Sequence, residues 1–379
     1  MNNCLLFSVM VYNSPLLAFR LNLQRDIVSN KEISDKAVLL ANLGSPEAPE
    51  TGAVRRYLNQ FLMDPYVIQL PWPLRRLIVS LFVLPRRPAQ SAHAYASVWR
   101  EDGSPLVALS KQLLAALQPQ VNVPVALAMR YGQPSIESEL LKLAQNPKLR
   151  EVLFIPLYPH YADSTVTTSV EEVKRVVLKH KLDIRIKVLE PFYQHPNYIR
   201  ALVASAQPYL ADKKHDHILF SYHGLPESHL KVADPTLAHC LQQDNCCERP
   251  SEAHATCYRH QVFKTTEAFV QLAGLQEGEY SQAFQSRLGR NKWLEPSTEN
   301  SLRELAGKGV KNLLVICPAF VTDCLETLEE IEMQGQQLFK EAGGESLTLI
   351  PCLNSHPEWV KLLVSWSNDF TNILAAKNL

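Results

Sequence analysis

The sequence predicts an α/β protein made of two similar, doubly wound halves, each on a parallel sheet. Two observations carry this. Eight short apolar, β-branched runs alternate with amphipathic helical stretches, the order expected of βαβ units. The runs also fall into two sets of four that resemble each other.

The first set is 37–43 (AVLLANL), 123–129 (VPVALAM), 152–157 (VLFIPL) and 184–189 (IRIKVL). The second is 217–222 (HILFSY), 280–285 (YSQAFQ), 312–317 (NLLVIC) and 347–351 (LTLIP). Helical patterns lie between them, at 135–144, 169–180, 298–308 and 325–341. VLFIPLYPHY at 152–161 parallels LLVICPAFVT at 313–322. Each is a strand broken by proline, then a short loop, then a helix. The expected halves are 37–205 and 206–379, with the last helix packing back on the first half.

At 379 residues the chain is long enough for two domains. Hydrophobic residues make up 46% and charged residues 20%, a globular composition. Lys plus Arg balances Asp plus Glu at 38 each, so no net field favours nucleic acid, and no basic stripe with interleaved aromatics stands out. Apolar stretches fall short of the roughly 20 residues of a spanning helix. The opening MNNCLLFSVMVY is apolar, yet the first basic residue is Arg20, so it does not read as a secretory signal. Residues 1–36 are expected to be a poorly ordered extension or an early start, and the protein is expected to be cytoplasmic.

Ligands of doubly wound sheets bind beyond the carboxyl ends of the strands. Four segments stand there: Asn42–Pro46, Met129–Gly132, Ser221–Pro226 and Thr322–Glu330. His223 ends a strand and precedes Gly224, so a sharp turn projects its imidazole into the crevice; a structural strand-end histidine fits equally well. Asp323, Glu326 and Glu330 are spaced i, i+3, i+7 and share a helix face if the helix starts near Asp323. Acids in a first turn also serve the helix dipole, which accounts for Asp323 and Glu326 but not for Glu330.

These segments carry a resemblance. NLGSP, MRYG, SYHGLP, TDCLETLEE and FQSRLGRNKWLEPSTE resemble the signatures of the ferrochelatase family, and the likeness runs from about Ala37 to about Trp359. It implies two Rossmann-like domains with parallel four-stranded sheets in a chelatase-like arrangement. It also implies insertion of ferrous iron into protoporphyrin IX, with release of two protons, in a cleft between the domains. By that resemblance His223 and Glu326 face each other across the macrocycle as the Fe2+ site, and Asp323 and Glu330 extend the row of acids. The chemistry suits them: imidazole accepts protons near neutrality, and carboxylates hold hard cations.

Arg130, Tyr131 and Trp293 resemble porphyrin-binding positions, Arg130 as a partner for a propionate. An ion pair for Arg130 and core packing for Trp293 are the alternatives. Residues 61–88 are apolar and punctuated by Arg75, Arg76, Arg86 and Arg87. In the family this region forms the lips of the cleft, and peripheral membrane contact suits it, as does a buried amphipathic helix.

Four of the eight cysteines, Cys240, Cys246, Cys247 and Cys257, fall within 18 residues in an insert at 239–257. A cysteine cluster outside a secreted context argues for metal rather than disulfides. The spacing C-x5-C-C-x9-C is not that of a zinc ribbon. Some ferrochelatases carry a 2Fe–2S cluster, and by that resemblance these four are its ligands; zinc and free thiols are the alternatives. His239, His254 and His260 flank them as possible substitutes. Cys317 reads as a small buried hydrophobe and Cys324 as a cleft neighbour. Rivals to the main reading are a coproporphyrin or cobalt chelatase, or a non-catalytic haem or iron carrier or redox sensor on the same fold.

Overall fold

The computed structural model describes residues 34–212, 214–287, 291–370 and 376–378. Almost all of the expected 1–36 extension lies outside them.

Two parallel sheets form the frame. The first holds β1 (Lys36–Gly44), β2 (Val125–Tyr131), β3 (Glu151–Pro156) and β4 (Arg185–Leu189), in the order β2-β1-β3-β4. The second holds β5 (His217–His223), β6 (Tyr280–Gln285), β7 (Asn312–Ile316) and β8 (Ser346–Leu349), in the equivalent order β6-β5-β7-β8. All eight expected strands are present, and the matching orders give the two halves the same winding. One addition was not foreseen: β9 (Ala376–Asn378) pairs antiparallel with β4, so the first sheet has five strands.

Helices cover both faces of each sheet because the strands are apolar on both sides; β1 is buried along nearly its whole length. In the first half these are α1 (Thr51–Leu62), α2 (Trp72–Ile78), α3 (Arg87–Val98), α4 (Pro105–Leu117), α5 (Ile136–Leu143) and α6 (Thr168–His180). Next comes α7 (Pro196–Ala211), followed in the second half by α8 (Glu227–Ala233), α9 (Tyr258–Ala273) and α10 (Thr298–Gly307). The last two are α11, spanning 325–341, and α12 (Pro357–Asn368).

The expected junction at residue 205 falls inside α7, and the core does not stop there. One apolar cluster runs from Val38 and Leu40 of β1 through Tyr198 and Leu202 of α7 to Phe220 of β5 and Trp359 of α12. The last helix packs against α4 of the first half as well as α7. Trp359 is fully buried and contacts the rings of Phe192, Tyr198 and Trp366. The end of β1 is equally tight: Gly44 has φ +111, and a Cβ there would lie 1.8 Å from the Tyr131 carbonyl oxygen.

Replacing Trp359 with Ala should cost about 3–5 kcal/mol, the usual range for emptying a buried aromatic site. Denaturant unfolding followed by circular dichroism measures this, and should show one transition because both halves share the lost packing.

Candidate functional site

The strands of the two sheets end around a cleft of about 2080 Å³. His223, the last residue of β5, lines it. Beyond it the chain must turn sharply. The Gly224 N–H donates to the Gln285 carbonyl at 2.7 Å, and a Cβ on Gly224 would lie 2.7 Å from that oxygen and 3.3 Å from Trp293 Cε3. A side chain there would displace Trp293, which also lines the cleft and bridges to Pro226.

The His223 ring has a defined tautomer. Its Nδ1 lies 2.7 Å from the Gly224 carbonyl, which can only accept, so Nδ1 carries a proton and, in the neutral ring, the lone pair is on Nε2. The cleft holds two other histidines. Burial lowers the imidazole of His160 to about 3 and that of His229 below its ordinary value. His160 is therefore neutral at physiological pH and a poor proton acceptor.

α11, from the same half of the chain as His223, also lines the cleft. It begins as an α-helix over Leu325–Thr327, widens to a π-helix over Leu328–Gly335, and returns to α over Gln336–Glu341. Glu326, Glu329, Glu330 and Glu341 all line the cleft. The Glu330 carboxylate accepts the Ser286 N–H at 2.7 Å and a short hydrogen bond from the Ser286 hydroxyl. Burial raises its pKa, while Ser286 and the nearby His223 pull the other way.

Asp323 does not join this row. It precedes the helix, is 5% exposed and is not among the residues lining the cleft. Its oxygens accept from the Thr327 hydroxyl at 3.0 Å, the Cys352 N–H at 3.2 Å and the Asn354 amide at 2.7 Å. It braces the helix start. The i, i+3, i+7 spacing misplaced it because the helix begins two residues later and changes pitch.

Gln285 ties the end of β5 to α11, and sequence reasoning did not single it out. It pairs with His223 in the sheet and is 2% exposed. Its amide donates to the Glu326 carbonyl at 2.7 Å and to Glu330 at 3.3 Å, while its Oε1 accepts from Ser221 at 2.7 Å. The one available signal was its place at the end of a strand.

Arg130 and Tyr131 are also set back from the cleft. Asp64 Oδ2 accepts from Arg130 at 2.6 Å, Tyr131 at 2.9 Å and Thr168 at 2.6 Å. Arg130 Nε is spent on Thr168 as well. Neither residue lines the cleft, so the expected propionate contact gives way to an internal ion pair. Tyr57, Tyr95 and Ser104 take up cleft wall that sequence reasoning did not foresee, and the buried Ser104 hydroxyl has no partner among the described residues.

The four insert cysteines are all buried. The Cys257 sulfur accepts hydrogen bonds from Cys240 and Cys247, which lowers its pKa and raises theirs, and Cys246 Sγ accepts the Leu241 N–H at 3.4 Å. The three flanking histidines are occupied otherwise. His239 and His254 donate to the Cys246 carbonyl at 2.7 and 2.9 Å, and His260 donates to that of Cys247 at 2.7 Å. Among the described residues no group of three or more His, Cys, Asp or Glu stands in ready metal-binding geometry.

A family model described as Ferrochelatase matches residues 35–369. The chain is 57% identical over 334 residues to a protein named Ferrochelatase from Stutzerimonas stutzeri (strain A1501), covering 88% of this chain and 97% of that one. It is 59% identical over 333 residues to another of that name from Ectopseudomonas mendocina (strain ymp), covering 87% and 97%. Among solved structures, SirB from Bacillus subtilis with Fe3+ aligns with a TM-score of 0.49 at 14% identity, over 87% of this chain and 93% of that one.

Replacing Asp64 with Asn leaves the Arg130 cation without its counter-charge and should cost about 3–5 kcal/mol. The midpoint of urea unfolding reports it.

Proposed function

This chain belongs to the ferrochelatase family and inserts ferrous iron into protoporphyrin IX to form protohaem, and we propose that His223 and Glu326 are the residues that carry the reaction in the cleft. The observation that supports them is their shared fixture, Gln285, which pairs with one and binds the carbonyl of the other. Free-base porphyrin must lose two pyrrole protons as iron enters. The lone pair on Nε2 of the neutral His223 ring accepts one proton at a time, and the first must be handed on to solvent before the second is taken. Glu326, with Glu329 and Glu330 beside it, offers oxygen ligands that replace the water shell of ferrous iron as it approaches. Trp293 packs a face of the macrocycle. Asp323, Arg130 and Tyr131 act one layer behind, as braces.

We read the four insert cysteines as ligands that would close around a 2Fe–2S cluster. They are buried and close together in one segment, and a bound cluster would take all four as thiolates. Bound there, a cluster supplies one-electron chemistry, which metal insertion does not need; its role is read as a brace or sensor. The histidines hold the peptide of Cys246 and Cys247 rather than the metal.

The lip of the cleft exposes Trp72, Leu77, Leu81 and Phe82 beside Arg76 and Arg86. No helix among the described residues is long and apolar enough to cross a membrane. An apolar face rimmed by arginine suits shallow contact with a bilayer surface, where a poorly soluble porphyrin would be collected. We read the enzyme as cytoplasmic with this lip on the membrane.

In an anaerobic assay with ferrous iron and protoporphyrin IX, His223→Ala should lower kcat by about 100-fold or more while circular dichroism stays native. Retained activity would remove His223 from the mechanism. Cys247→Ser should abolish visible iron–sulfur absorption, and an unchanged spectrum would overturn the ligand set.

A further inference from the structure

The cysteine insert and the proposed proton-accepting histidine meet at a single side chain. Cys257 is the N-cap of α9 and Tyr258 is the first residue of that helix. The Tyr258 hydroxyl donates to the backbone carbonyl of His223 at 2.9 Å. The residue is 6% exposed, lines the cleft and packs edge-on against the His160 ring at 5.8 Å. The end of β5 is thus held from two sides. The bond from the Gly224 N–H to Gln285 fixes it to β6, and the bond from Tyr258 fixes it to the insert.

The other end of this link is equally constrained. The thiol of Cys257 contacts those of Cys240 and Cys247, and its carbonyl accepts the Gln261 N–H at 3.1 Å in the first turn of α9. The neighbouring Thr256 hydroxyl donates to the Ala233 carbonyl at 2.6 Å. Cys257 and Tyr258 are joined by one peptide bond, so a shift of the thiol cluster moves the phenol that holds the histidine.

We infer that Tyr258 is a positioning residue for His223, and that through it the assembled or lost state of the cysteine insert reaches the metal-insertion step. The inference deepens the reading of His223 given above and rests on it. Tyr258 takes no proton and binds no iron. It sets the orientation of the peptide from which the imidazole projects, and a misplacement of about 1 Å at a reacting group costs on the order of 100-fold in rate.

Tyr258→Phe tests this cleanly, because the ring and its contact with His160 remain and only the O–H is lost. The purified full chain is compared as wild type, Tyr258→Phe, Cys247→Ser and the double variant. The readouts are kcat, KM for porphyrin, the pH profile of kcat, the visible spectrum and Tm. Tyr258→Phe should lower kcat by about 10-fold and shift the pH profile, with porphyrin KM within about twofold and with iron–sulfur absorption and Tm retained. Cys247→Ser should lower kcat in the wild-type background but less than about twofold further in the Tyr258→Phe background, because both changes cut one link. If Cys247→Ser does not fold, bleaching the cluster of the folded enzymes makes the same comparison. Normal kcat in Tyr258→Phe, losses that simply multiply, or a Cys247→Ser enzyme of full activity would each overturn the inference. Activity in His223→Ala would instead overturn the reading of the histidine. An inactive His223→Ala beside a normal Tyr258→Phe would sink this inference alone.

Discussion

The buried Gln285 is the fixture that the end of β5 and the start of α11 share. Its backbone carbonyl stops β5 from running on past His223, its Nε2 holds the first turn of α11 through the Glu326 carbonyl, and its Oε1 is satisfied by Ser221. An amide at 2% exposure with its donors and acceptor placed in this way cannot rotate without leaving buried groups unpaired. The spacing of histidine and glutamate is therefore set by hydrogen bonds of the frame, not by the two side chains themselves.

The π-helical stretch of α11 serves the same end. A regular α-helix places the side chains of neighbouring turns one above another on a narrow stripe. The wider turn over Leu328–Gly335 lets Glu329 as well as Glu330 face the cleft, so the acidic wall is broader than an α-helix would give. Acids are costly to gather, and Glu330 shows it: burial raises its pKa even with Ser286 and His223 close by.

Most of the frame was readable because it depends on local pattern. Eight apolar runs became eight strands with ends displaced by a residue or two, and the repeat between the halves reappeared as the same strand order. The short β9 escaped notice because Ala376–Asn378 has no strand composition and is ordered by pairing with β4. At the cleft, position after a strand was the informative signal: it pointed to His223 and Glu326, and both line it. Chemistry-bearing side chains read without their partners were the weak point. Arg130 looked available until Asp64, 66 positions away, was placed against it. Asp323 looked like part of a face until the helix proved to begin at Leu325. Partners distant in sequence leave no local trace.

The continuous core through α7 and α12 has a bearing on how a large flat molecule gets in and out. Two domains that share one apolar interior cannot swing apart on a hinge, since parting them would expose the rings around Trp359. The segment at 58–87 that lines the cleft is built differently. Leu62, Val79 and Leu84 form a small cluster of their own, separate from the main core. Loosening that patch would sacrifice far less packing than parting the two halves.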